Sequence, residues 1–106
     1  MEVVDACMLL DFYGQLLTDR MRSILELHFA EDMSLAEIAE QENISRQAVY
    51  DSIHRGLKSL AEYESKLGLI SRFMSQKQGI QAAVDALKRN DTKRAYDVLA
   101  DLMDTL

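Results

Sequence analysis

Not one proline interrupts this 106-residue chain, and glycine occurs only at Gly14, Gly56, Gly68 and Gly79. Tight turns between neighbouring strands draw heavily on these two residues, because proline presets φ and glycine accepts positive φ. A sandwich or barrel of many short strands is therefore excluded, and an all-α chain is what remains. Hydrophobic residues make up 48% and charged residues 28%, values that support a packed core and argue against disorder. Roughly 100 residues supply one such core and not two. A single helical domain over residues 1–106 is expected, with 1–60 as its core and 61–106 as a helical extension and hairpin.

The net charge of −6 at pH 7 excludes a protein whose whole surface grips phosphate, since polyanion binding needs positive potential at the contact. Residues 1–33 hold seven acids and two arginines, residues 34–60 four acids and three bases, and residues 61–106 seven of each. The acidity sits in the first third, and any nucleic-acid contact must be local. The single cysteine, Cys7, has no partner within the chain, so a reducing compartment, the cytoplasm, is expected. The first residues carry acids where a secretory signal carries bases, and no apolar run approaches the roughly 20 residues that span a bilayer. Neither export nor membrane insertion is expected.

Apolar residues recur at helical spacing along the chain. Val3, Val4, Cys7, Met8, Leu10, Phe12, Leu16 and Leu17 mark a first helix over 3–17. Thr18 caps a second over 19–30, with Met21, Ile24, Leu25, His28 and Phe29 on its apolar face. Ser34-Leu35-Ala36-Glu37 is a capping box that opens a short third helix, and Asn43, which tolerates the left-handed conformation, ends it. Ser45 caps a fourth helix whose stripe of Val49, Ile53, Leu57 or Leu60, Leu67 and Ile70 runs on past residue 65. Gly56 and Gly68 are expected to weaken this helix without ending it. Beyond Gly79, Ile80, Ala83, Val84 and Leu87 form one stripe and Ala95, Val98, Leu99, Leu102 and Leu106 another. The break at Asn90-Asp91 between them predicts a C-terminal helical hairpin.

A short helix, a turn of about three residues and a serine-capped second helix make a helix-turn-helix when a small residue lets the two cross closely. Ala39 supplies the small residue, Ile38, Ile44 and Val49 the apolar contacts, and Asn43 the turn. In such a unit the second helix enters the major groove of DNA and its N-terminal side chains reach base edges. Ser45, Arg46, Gln47, Tyr50, Asp51, His54 and Arg55 are thereby the candidate readers, with Lys58 as a further cation. Gln47 is suited to a bidentate contact with adenine, whereas Asp51 opposes phosphate. Solvated surface or an ion pair with Asp51 is the alternative role of Arg46 and Arg55, and packing that of Tyr50.

The run SLAEIAEQENISRQAVYDSIHRGLKSL, residues 34–60, resembles the helix-turn-helix of sigma factor region 4. Over residues 9–67, the stretches LLDFYGQLLTDRMRSILELHF, DMSLAEIAE, ISRQAVYDSIHR and LAEYESKL resemble the YlxM family of small bacterial helix-turn-helix proteins. That resemblance implies a regulator in the signal recognition particle pathway, with DNA or signal recognition particle RNA as the nucleic acid and signal recognition particle proteins as further partners. The competing reading is an adaptor that acts on the targeting GTPase without binding DNA. Leu60, Tyr63, Leu67, Ile70, Phe73 and Met74 exceed what a solvated spacer carries, which predicts a homodimer. Lys88, Arg89, Lys93 and Arg94 around the hairpin turn read as a solvated turn before a basic patch. Cys7 reads as a small buried hydrophobe. His28 and His54 lack ligand spacing, and no glycine-rich phosphate loop or serine-histidine-acid set occurs. Neither enzyme activity, a metal nor a cofactor is expected.

Overall fold

Side-chain caps fix where the helices of this protein begin. The computed structural model describes residues 3–106, with side chains from Ala6 onward. The side chains of Met1, Val3 and Val4, the last two counted above in the first apolar stripe, lie outside the described residues. The described chain forms α1 (Val3–Tyr13), a 3₁₀ turn (Gly14–Leu16), α2 (Asp19–Phe29), α3 (Leu35–Glu42), α4 (Arg46–Leu67), α5 (Leu69–Lys88) and α6 (Thr92–Thr105). The all-α expectation is met, and among the described residues no helix is long and apolar enough to cross a membrane. Residues up to Gly68 make one compact unit and Leu69–Leu106 a second.

In the first unit, α4 packs against α1, α2 and α3. Val49, Ile53, Gly56 and Leu60 bury one stripe of α4. Ala6, Leu9 and Tyr13 of α1, Ile24 and Leu25 of α2, and Ile38 and Ala39 of α3 complete the core. Gly56 sets the approach of α2 to α4. A Cβ there would lie 2.8 Å from both methyl carbons of Leu25 and 3.3 Å from Met21 Cγ, closer than carbon atoms pack. Tyr13, 1% exposed, joins α1 to the last turns of α4. Its hydroxyl donates to Glu64 Oε1 at 2.5 Å, and its ring lies 6.1 Å from that of Tyr63.

The first helix stops earlier than its periodicity predicts. After Tyr13 the backbone tightens into the 3₁₀ turn, and Leu17 is extended (ψ 161°). This delivers Thr18, also extended, whose hydroxyl accepts from the Met21 amide at 3.2 Å. A second correction falls on Gly68, which does end α4. It adopts φ +63° and its N–H donates to the Glu64 carbonyl at 2.8 Å, a left-handed closure that glycine makes without steric cost. Ile70, Phe73 and Met74 therefore belong to a new helix and not to an extension of α4.

The second unit is the expected hairpin, but its first helix starts at Leu69 and runs through Gly79. Leu102 of α6 packs directly on that glycine, where a Cβ would meet its methyl carbons at 2.8 and 2.9 Å. Ala83, Ala86 and Ala95, with Val98 against them, form the small core. Asn90 turns the chain at φ 59°. The Asp91 amide reaches back to the Ala86 carbonyl (2.8 Å) and the Asn90 amide to that of Leu87 (3.0 Å). Asp91 then caps α6, accepting from the Arg94 amide at 3.0 Å.

Gly56→Ala tests the α2–α4 contact. At an exposed helix position this change stabilises by about 1 kcal/mol, whereas overpacking against Leu25 is expected to destabilise by about 1–3 kcal/mol. Urea denaturation should show a lower midpoint with an unchanged slope.

Candidate nucleic-acid interface

The helix-turn-helix begins at the box that opens α3. Ser34 Oγ accepts from the Glu37 amide at 3.1 Å, and Glu37 Oε1 accepts from the Ser34 amide at 3.0 Å. Two of the helix's free donors are thereby satisfied reciprocally. The Ser34 backbone N–H, and after it the Ser34 hydroxyl, hold the Glu37 carboxyl below its ordinary range by hydrogen bonding to its charged form. At the other end Asn43 is left-handed (φ 55°, ψ 47°). Its amide meets the Glu40 carbonyl at 3.4 Å, and the Ile44 amide meets the Ala39 carbonyl at 3.0 Å. This is the paired closure of a Schellman turn. Ser45 follows at once and accepts from the Ala48 amide at 3.0 Å, so α4 starts at Arg46. Ile38, Ala39 and Val49 are buried at the crossing, with Ile44 half-buried.

Because Val49, Ile53, Gly56 and Leu60 face the core, the residues between them at spacings of three and four face outward. Arg46, Gln47, Tyr50, Asp51, His54, Arg55 and Lys58 are all exposed, and Ser45 stands exposed at the head of the helix. Each of the candidate readers, and Lys58, is thus brought to the outward side of α4. Tyr50 is 47% exposed and presents its ring edge-on to His54, with centroids 4.1 Å apart and planes at 66°. Gln47 Nε2 donates to Asp51 Oδ1 at 3.0 Å. Asp51 is therefore engaged by an amide and not by the arginines beside it. Among the described residues neither Arg46 nor Arg55 forms an ion pair, whereas Arg22 lies 3.6 Å from Asp19 and 3.9 Å from Glu26.

Sequence reasoning missed one contributor. Leu35, the first residue of α3, joins Arg46, Gln47 and Tyr50 around a shallow open depression of about 430 Å³. The spacing of Leu35 with Ile38 and Ala39 marks it as packing on α3, and its place beside the α4 residues arises only where the two helices meet. The remaining singled-out residues lie away from this face. His28 Nδ1–H donates to the Met33 carbonyl at 2.9 Å, and its ring meets Phe29 edge-on at 4.8 Å. Cys7 is half-buried where full burial is expected, with its thiol 3.7 Å from the Phe29 carbonyl.

A short capped helix, a left-handed turn and a longer second helix with an outward polar face define a helix-turn-helix protein. The chain belongs to the YlxM / p13 like helix-turn-helix family, which it matches over residues 2–99. A UPF0122 protein of Desulforamulus reducens is 45% identical over 89 residues, covering 84% of this chain and 76% of that protein. One of Acetivibrio thermocellus is 57% identical over 76 residues, 72% of this chain and 65% of the relative. A third, of Halalkalibacterium halodurans, is 41% identical over 98 residues, 92% and 90% of the two chains. The resemblance to the YlxM family drawn from the sequence is thereby confirmed.

The capping box makes a prediction in acid. A carboxyl whose folded pKa is lowered stabilises the fold above its unfolded pKa, and that contribution is lost as pH falls through the folded value. Ser34→Ala removes the hydroxyl and retains the backbone amide. The carbon-detected NMR titration of Glu37 should therefore move part of the way up to its ordinary range, and α3 should lose the matching part of its acid-sensitive contribution and keep the rest.

Proposed function

We propose that this chain is a nucleic-acid-binding regulatory protein that makes contact through the outward face of α4. The observation that carries this reading is the set of exposed cations Arg46, Arg55 and Lys58 around Gln47, Tyr50 and His54 on the second helix of a helix-turn-helix. In the bound state the three cations neutralise backbone phosphates, which position the protein without reading sequence. Gln47 exchanges Asp51 for a base edge, where its amide meets both donor and acceptor of adenine. Tyr50 and His54 contribute aromatic surface, while Ser45 fixes the start of the helix through its cap. The setting is the one the YlxM resemblance implies, the signal recognition particle pathway, with DNA or signal recognition particle RNA as the ligand; the lone Cys7 suits the cytoplasm, and the surplus of apolar residues a homodimer as the acting form.

A second reading has its own support. Asp51 sits in the middle of the face, and residues 1–68 hold thirteen acids against six bases, a field that repels phosphate. On this reading the face docks a signal recognition particle protein, such as the targeting GTPase.

Affinity for a mixed-sequence duplex and for signal recognition particle RNA, measured across a salt series, separates the two. Three phosphates neutralised per copy give a log-log salt slope of about −3 on a duplex, and about −5 for two copies. Replacing Arg46 and Arg55 together by glutamate is expected to weaken binding by at least about tenfold with the circular dichroism unchanged. Flat, weak binding to both ligands, or an affinity indifferent to the double substitution, would favour the adaptor.

A further inference from the structure

The hairpin of α5 and α6 has two unlike sides. With Gly79 of α5 against Leu102 of α6, helical geometry at 100° per residue places Ile80, Val84 and Leu87 of α5 on the same side as Tyr96, Leu99, Met103 and Leu106 of α6. All seven are exposed, by 40% to 77%. Gln76, Ile80, Leu99, Leu102, Met103 and Leu106 line an apolar depression of about 390 Å³ there. The opposite side carries Ser75, Arg94, Asp101 and Thr105 around its own shallow recess. Within Leu69–Leu106 the buried core is only Ala83, Ala86 and Ala95, with Val98 packed on it, too little to stabilise a unit of this size.

We propose that this apolar side pairs with the same side of a second copy of the chain, giving a two-fold dimer in which two hairpins form a four-helix bundle. The seven side chains offer an area of the order of the ~800 Å² per partner that a standard interface buries, well beyond a scatter of single exposed residues. No charged residue interrupts the strip, so a copy of itself meets it without burying an unpaired charge. The rims hold one complementary pair, away from the hairpin turn, whereas near the turn Lys88 and Lys93 stand at one height as like charges. Lys77 on the outer edge of α5 and Asp104 on the outer edge of α6 stand at the same height, two residues from the Gly79–Leu102 contact on their respective helices. A two-fold axis parallel to the helices sets Lys77 of one copy opposite Asp104 of the other, as isologous pairing requires. The homodimer of the proposed function thereby gains a surface, which lies on α5 and α6 and not on the run from Leu60 to Met74.

Sedimentation equilibrium of the full chain tests this. The wild-type protein is expected to show a concentration-dependent dimer. Met103→Glu and Tyr96→Glu, each at a strongly exposed position, are each expected to weaken the dimer by about 100-fold, since both copies carry the buried charge. Gln78→Glu, on the polar side, should leave it intact. Circular dichroism identifies a variant that fails to fold, and the other substitution then supplies the answer. A wild-type mass that stays monomeric at every concentration overturns the proposal, as does a dimer that survives both substitutions. The mass is read without nucleic acid, so this surface and the α4 contact fail or hold separately.

Discussion

The burial of one stripe of α4 governs the rest of the first unit. Val49, Ile53, Gly56 and Leu60 are committed to a core shared with α1, α2 and α3, and a helix that commits one side must present the other. Each fully buried aliphatic side chain in that stripe contributes about 1.5–3 kcal/mol. The exposed pairing of Gln47 with Asp51 is worth only about 0.2–0.5 kcal/mol. The core therefore decides the orientation of the helix, while the polar contacts on its outer face remain cheap to exchange. A rigid face with replaceable surface bonds suits a helix that must trade those bonds for a ligand's.

Asparagine provides two of the left-handed turns between helices, beside Asp32 and Gly68. Asn43 and Asn90 both take the left-handed conformation, and each closes the preceding helix by sending the amide of the next residue back five positions. A side-chain cap then restarts the chain, Ser45 for α4 and Asp91 for α6. The combination reverses the backbone within two or three residues and leaves few helix-end groups unsatisfied. In α3–α4 it joins two helices that pack through Ile38, Ala39 and Val49, whereas in α5–α6 alanines and Gly79 let the pair lie side by side.

The caps at Thr18, Ser34 and Ser45, the turn at Asn43 and the outward set from Arg46 to Lys58 were legible in the sequence, because each depends on residues within a few positions of one another. Gly68 and Gly79 were not. Both stand within a continuous apolar stripe, yet one ends a helix and the other lies in the middle of one. Gly68 takes φ +63° in open space, where glycine is wanted for its backbone alone, whereas Gly79 is pressed by Leu102 from across the hairpin. That distinction lies 23 residues away in the chain and cannot be read locally. Leu35 was missed for the same reason, and the choice of Gln47 over an arginine as partner of Asp51 depends on competing side-chain geometries of similar energy.

The central claim is that the outward face of α4 is where this protein meets nucleic acid. Amide and side-chain NMR shifts recorded while a mixed-sequence duplex is titrated into the labelled full chain test it residue by residue. The account predicts that the largest changes fall on Arg46, Gln47, Tyr50, His54, Arg55 and Lys58, with the buried stripe of the same helix little affected. Changes confined to the basic turn of Lys88, Arg89, Lys93 and Arg94, with α4 silent, would contradict it.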